Sequence, residues 1–250
     1  MHVRQAANVL EILEFFARRQ SPATLTEISD ELGWPRSSTF NLVTTLSDKG
    51  YLYEPRTRGG FYPSPRWFNI VQAVFDAEPL PEFVAVMANE VAGETGETTA
   101  IGAPAGTSAI FIHVIESAAP IRYFASVGHR LPIHASSTGR AILAQHTLAE
   151  RQSIYRKIKF EKFSPSTPLS IEAVEAELRA AAERGYHFSN GDFSSDLVGV
   201  ALPLPLNHRR LSIVVAGPEF RCLNRQQEIA GILKRAIARF RKEWDEQGDA

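Results

Sequence analysis

Apolar residues recur at helical spacing through the first part of the chain and change to strand-like patterns from Thr98 onward. Val3, Leu10, Leu13 and Phe16, with Ala6, Val9, Ile12 and Ala17 beside them, give residues 3–19 a broad apolar face and predict a first helix, ended by Ser21-Pro22. Glu27 follows Thr24 by three residues, the spacing of a capping box for a second helix carrying Ile28 and Leu32. Gly33 is placed to close that helix in a left-handed conformation, and Pro35 to open a third where its missing N–H does no harm. Phe40, Leu42, Val43 and Leu46 read as the buried face of the third helix, and Gly50 as its end. Tyr51–Tyr53 and Gly60–Tyr62 are short aromatic strands around a turn-rich tip. Pro63-Ser64-Pro65 marks a boundary, followed by a helix over about 66–77, a break at Pro79–Pro81 and a helix to about Thr95.

Beyond Thr98, strands are predicted at 98–103, 109–115 and 120–126, then helices at about 137–146 and 149–156 and a polar loop over 160–170. A helix over 171–184 ends at Gly185, strands return at 186–190, 198–204 and 210–217, and an amphipathic helix over about 224–246 follows, with Ile229, Ile232, Leu233, Ile237, Phe240 and Trp244 on one face. There is no internal repeat. The pattern is α+β, with a small helical unit and hairpin ahead of a larger α/β unit.

The 250 residues suffice for two domains, and 44% hydrophobic with 22% charged residues is ordinary for a soluble globular chain. No apolar run approaches the roughly 20 residues of a membrane span. The N-terminus is amphipathic and carries acidic residues, unlike a signal peptide. Cys222 is alone, which excludes an internal disulfide and a cysteine metal cage. A cytoplasmic protein with no membrane partner is expected. The net charge is −1, and in the N-terminal segment Arg4, Arg18, Arg19, Arg36, Lys49, Arg56 and Arg58 face seven acidic residues. Any attraction to nucleic acid must come from placement of charge, not excess.

The stretch from Thr24 to Tyr53 nevertheless has the form of a helix-turn-helix. Two short helices meet at a glycine turn, and the second begins with small polar groups and an arginine. Arg36, Ser37, Ser38, Thr39 and Asn41 are the candidate DNA-binding residues. Arg36 suits guanine or phosphate, and Asn41 suits adenine. Arg56 and Arg58 at the hairpin tip suit the minor groove or flanking phosphates. An ordinary helical hairpin with a solvated tip has the same pattern. Further on, Ser136–Gly139 open a helix with small side chains and free backbone N–H groups, which suit a carboxylate, though a plain N-cap has the same sequence. His113, His129, His134 and His187 lack the i, i+4 spacing of a helical metal pair. Asp192 and Asp196 read as solvated turn residues and Cys222 as structural. With no phosphate loop and no nucleophile elbow, neither catalysis nor a cofactor is indicated.

Four segments carry a family resemblance: LPIHASSTGRAILA (131–144), RGYHFSN (184–190), VALPL (200–204) and IVVAGP (213–218). In their order and spacing the chain resembles the isocitrate-lyase-regulator (IclR) family of transcription factors over nearly its whole length. The resemblance implies a winged helix-turn-helix over 1–63, a linker helix over 64–80, and a GAF-like α/β effector-binding and oligomerisation domain over 81–250. It further implies a homodimer or homotetramer on a palindromic double-stranded DNA operator, under small-molecule control. Carried over position by position, the effector pocket would comprise Leu131, Ser137, Thr138, Ser189, Leu197, Gly199, Val214 and Ala216, with Tyr123. Glyoxylate- and pyruvate-sensing members place an aspartate where this chain has Ser189 and a cysteine where it has Gly199. They place two serines where it has Val214 and Ala216. A less polar, roomier pocket is expected, suited to an aromatic or other apolar carboxylic acid. The competing readings are an enzyme acting on that ligand and a DNA-binding protein whose C-terminal domain only oligomerises.

Overall fold

A computed structural model describes residues 3–56, 59–77, 80–206 and 209–247, and the chain divides into two compact units, 1–79 and 80–250. In the first unit the order is α1 (Arg4–Arg19), α2 (Leu25–Leu32), α3 (Arg36–Asp48), β1 (Leu52–Tyr53), β2 (Tyr62–Pro63) and α4 (Arg66–Ala77). Local chemistry sets the ends of the short helices. The Thr24 hydroxyl accepts from the Glu27 amide while the Glu27 carboxylate accepts from the Thr24 amide, the expected capping box. Gly33 closes α2 at φ 66°, and Pro35 caps α3. A core of Ile12, Phe15, Phe16, Ile28, Val43, Leu46 and Leu52 joins the three helices to the β1–β2 hairpin.

Two inward positions differ from the sequence pattern. On α1 the buried stripe is Ile12, Phe15 and Phe16, and Val3 and Leu10 lie exposed, because its apolar residues nearly ring the helix and only one arc meets α2 and β2. On α3 the inward position is Thr39, fully buried with its hydroxyl donating to Pro35 O at 3.2 Å, and Phe40 is 54% exposed. α4 buries no residue. Its first turn is fastened by Trp67, whose indole N–H donates to Tyr51 O at 3.0 Å.

The second unit runs α5 (Glu82–Thr95), β3 (Thr98–Ala105), β4 (Ser108–Ile115), β5 (Arg130–Pro132), α6 (Ser137–Leu143), α7 (Leu148–Tyr155), α8 (Ile171–Arg184), β6 (His187–Asn190), β7 (Leu197–Leu206), β8 (Arg209–Pro218), α9 (Glu219–Cys222) and α10 (Gln226–Gln247). The strands form one antiparallel sheet in the order β5–β4–β3–β8–β7–β6. Alternation along the strands builds a core on each face. Val198, Val200, Ile213 and Val215 pack with Met87 and Val91 of α5 and Ile229 and Leu233 of α10. Ala201, Val214 and Ala216 face the opposite way, with Ile142 of α6 and Val174 of α8. The strand expected at 120–126 does not form. Residues 116–129 are irregular, with Ile121 and Phe124 largely exposed, and β5 takes the sheet edge beside β4 instead. No helix of the described residues is long and apolar enough to cross a membrane.

Two glycines let α6 lie directly on its neighbours. A Cβ at Gly102 of β3 would fall 2.4 Å from the Thr138 methyl, and one at Gly139 would fall 2.3 Å from Ile133 O. The second contact is with backbone, which cannot rotate away. Gly139→Ala should therefore lower the unfolding free energy of the C-terminal unit by about 1–3 kcal/mol through overpacking. Denaturant titration would show this as an earlier midpoint at unchanged slope.

Candidate functional sites

The first site is the outer face of α3. Arg36, Ser37, Ser38 and Asn41 are all exposed there, and Arg56 is exposed at the hairpin. Thr39 is a correction to the sequence reading. It is buried and spends its hydroxyl on the preceding turn, so it supports the helix from below instead of presenting to a ligand. Arg58 lies outside the described residues. Arg36 and Arg56 make no ion pair among the described residues, whereas Arg19 bridges Glu27 at 2.5 Å and Glu31 at 3.9 Å. The cap from Thr24, helped by Arg19, holds the Glu27 carboxyl down to about 2. Two acidic groups of α2 thus share the single charge of Arg19, while the Arg36 and Arg56 guanidinium groups make no ion pair among the described residues.

The second site is a cavity in the C-terminal unit. All nine expected effector residues line it, together with Asp192 and five others. Strand pairing explains part of this convergence: Gly199 lies opposite Ser189 on β6 and Ala216 on β8. The start of α6 supplies Ser137 and Thr138, and β5 supplies Leu131. Ser136 acts as a plain N-cap, accepting from the Gly139 amide at 3.1 Å and donating to Pro132 O at 2.9 Å. The expectation of a roomier pocket is not met in this state. A Cβ at Gly199 would fall 2.5 Å from Ser137 Oγ and 2.9 Å from Ser189 Oγ, so two hydroxyls fill the space the glycine leaves. The cavity holds about 30 Å³, room for one or two waters.

One polar group in the cavity wall, Asp192, was misread in the sequence, and its partner Arg140 was missed. Asp192, expected to be solvated, is buried and accepts from Arg140 Nη2 at 2.6 Å. Arg140 is itself fully buried, and its guanidinium also donates to His134 O at 3.1 Å and Phe188 O at 2.5 Å. Burial raises the Asp192 carboxyl above the usual range despite the opposing pull of Arg140. An arginine directly ahead of the apolar stretch Ala141–Ala144 was the signal that a buried partner was required. The Tyr123 hydroxyl is buried with no hydrogen-bond partner among the described residues, and burial pushes its pKa up to about 12. It is a protonated donor at neutral pH.

Tyr123, Ser194 and Leu197 also line a second, open cleft of about 500 Å³, walled by Ile121, Phe124 and Phe220 among others. Asp196, exposed as expected, lies in that cleft. Cys222 is buried in the core, and no group of three or more His, Cys, Asp or Glu among the described residues is arranged to hold a metal.

His187 on β6 adds a pH dependence. Burial, with the Arg140 and Arg184 charges, lowers its pKa from 6.5 to about 3. Its neutral form contributes stability that is fully present above about pH 6.5 and is lost as pH falls toward 3. Across that window the unfolded chain binds one more proton, and each pH unit removes about 1.4 kcal/mol. His187→Gln should flatten this part of the acid limb in denaturant titrations at pH 7, 5.5 and 4. Parallel limbs for the two proteins would contradict the assignment.

Two family models match the chain. The bacterial transcriptional regulator IclR C-terminal model covers residues 72–240, and the IclR helix-turn-helix domain model covers residues 5–56. The HTH-type transcriptional regulator XynR of Escherichia coli K12 is 24% identical over 246 residues, spanning 98% of this chain and 94% of that protein. The transcriptional repressor IclR of the same strain is 25% identical over 220 residues, 86% of this chain and 80% of its own length. In structure the chain is similar to Thermotoga maritima IclR, with a TM-score of 0.75 at 17% identity, covering 94% of this chain and 96% of that one. The family models and the fold agree with the helix-turn-helix read from the sequence, and the chain belongs to the IclR family of bacterial transcriptional regulators, DNA-binding proteins and not enzymes.

Proposed function

We propose that this protein is a ligand-responsive regulator that binds a palindromic operator as a homodimer or a pair of dimers in the cytoplasm. Its effector is a carboxylic acid with an apolar body. Residues 1–63 bind DNA, 64–80 link, and 81–250 hold the effector and oligomerise. The observation that carries this reading is the convergence of all nine resemblance-derived residues, from five strands or helices and one loop, on a single cavity.

The Ser137, Thr138 and Tyr123 hydroxyls are the donors for the acid, and hydrogen bonds to a charged group are the stronger kind. Val214, Ala216 and Leu131 supply apolar wall. With only about 30 Å³ free, the body of an aromatic acid extends past Tyr123 and Leu197 toward the open cleft and its exposed Ile121, Phe124 and Phe220. Binding then parts Tyr123 from Leu197. This gives the ligand unequal affinity for closed and open forms, which is what an effector needs in order to shift an equilibrium. Calorimetric titration with benzoate and benzamide tests it. Thr138→Val should weaken the acid by about 1.5–3 kcal/mol and the amide by less. Tight binding of pyruvate or glyoxylate with none of benzoate would overturn the apolar-acid class, and no binding of any acid would overturn ligand control.

The dimer reading rests on α4. Phe68, Val71 and Phe75 follow a three-four spacing along one stripe with Val74 beside it, and these four are 62–71% exposed. Such a stripe is the seam of a paired helix, and a two-fold pair matches a palindrome. Val71→Glu with Phe75→Glu should give a folded monomer by sedimentation and lose operator binding. A dimer that survives both changes would place the interface elsewhere.

A further inference from the structure

We propose that Phe40 reads the 5-methyl group of a thymine in the major groove of the operator. The inference rests on α3 being the helix that enters the groove, and it adds a base contact that the sequence pattern had assigned to the core. Phe40 is 54% exposed on α3 and takes no part in the hydrophobic cluster of its own unit. The inward position it was expected to fill belongs to Thr39. Its neighbours on the helix surface are Arg36 and Ser37, one turn earlier, and Thr44, one turn later. Asn41, next in the chain, is exposed and suited to adenine. An aromatic side chain is therefore held in water among groups that suit base edges and phosphates, within the first turn and a half of the recognition helix, where such helices touch bases.

The chemistry of the groove selects the partner. Base edges there present hydrogen-bond donors and acceptors, and the one apolar group is the thymine methyl. A phenyl ring has neither donor nor acceptor for the others and gains only from covering that methyl. The contact carries no charge, so unlike an arginine on phosphate it releases no counterions and leaves the salt dependence of binding unchanged.

The test uses the full-length protein and an operator selected from randomised DNA. Each thymine in a half-site is replaced in turn by deoxyuridine, which removes only the methyl group. Burial of about one methyl predicts that one such replacement per half-site weakens the wild type about fourfold. Phe40→Ala should bind the thymine operator more weakly, be indifferent to that same replacement, and keep the wild-type salt slope. Its thermal unfolding should match the wild type, because the side chain it loses is exposed. Asn41→Ala and Arg36→Ala separate this proposal from the reading beneath it. If either weakens binding and Phe40→Ala does not, α3 is the reading helix and the thymine contact is refuted. If none of the three changes binding, α3 does not read DNA and both ideas fall. A half-site with no methyl-sensitive thymine, or a Phe40→Ala protein that has become monomeric, also overturns the proposal.

Discussion

The C-terminal unit depends on one buried guanidinium. Arg140 sits on α6 with no exposure to solvent, and its hydrogen bonds end on the His134 carbonyl before α6, the Phe188 carbonyl on β6 and the Asp192 carboxylate in the turn after β6. A charge moved from water into such a place is tolerated only when its donors are matched, and removing one partner of a buried pair costs about 3–5 kcal/mol. The Thr167 hydroxyl holds the other side of the turn, donating to Asp192 O at 2.7 Å. The elements tied together this way are also walls of the cavity: α6 gives Ser137 and Thr138, β6 gives Ser189, and the turn gives Asp192. The Arg140 hydrogen bonds therefore fix the relative positions of these walls.

Small residues make that geometry possible. Gly102 lets the Thr138 methyl rest on β3, Gly139 lets α6 meet the Ile133 backbone, and Gly199 leaves room for the Ser137 and Ser189 hydroxyls. The run from Ala135 to Gly139 is thus constrained by close approach as well as by helix capping. This explains why substitution of polar family positions by Gly199, Val214 and Ala216 does not open the pocket. The Ser137 and Ser189 hydroxyls occupy the space beside Gly199, and the larger open volume lies outward, beyond Tyr123 and Leu197.

The features legible in the sequence were those decided locally. The Thr24–Glu27 box, the Gly33 and Gly185 helix ends and the span of α8 each depend on a few adjacent residues, and each appears where the spacing placed it. The cavity residues were legible through the resemblance, which encodes long-range contacts that no spacing rule contains. The misses were one local choice and two long-range ones. Thr39 and Phe40 are adjacent on α3, and hydrophobicity puts the wrong one inside, because a threonine that bonds its own preceding turn is cheap to bury. Asp192 looks like a turn residue until the sheet brings it to Arg140, 52 residues away. The apolar stretch 120–126 has strand composition but no edge to join, since β5 already occupies it.

The charge distribution determines what kind of DNA binding this chain can perform. With a net charge of −1 it lacks the bulk attraction that gives basic proteins tight, sequence-independent binding. Arg19 bridges both Glu27 and Glu31, which reduces the repulsion these two carboxylates would offer DNA without cancelling it. What remains near α3 and the hairpin is a small number of cations outside ion pairs, Arg36 and Arg56 with Lys49 among the described residues, to set position on the backbone. Affinity for DNA must then depend heavily on uncharged contacts in the groove. Sequence-independent attraction to the phosphate backbone is correspondingly weak for such a charge distribution, so discrimination between sites rests on the groove contacts of α3.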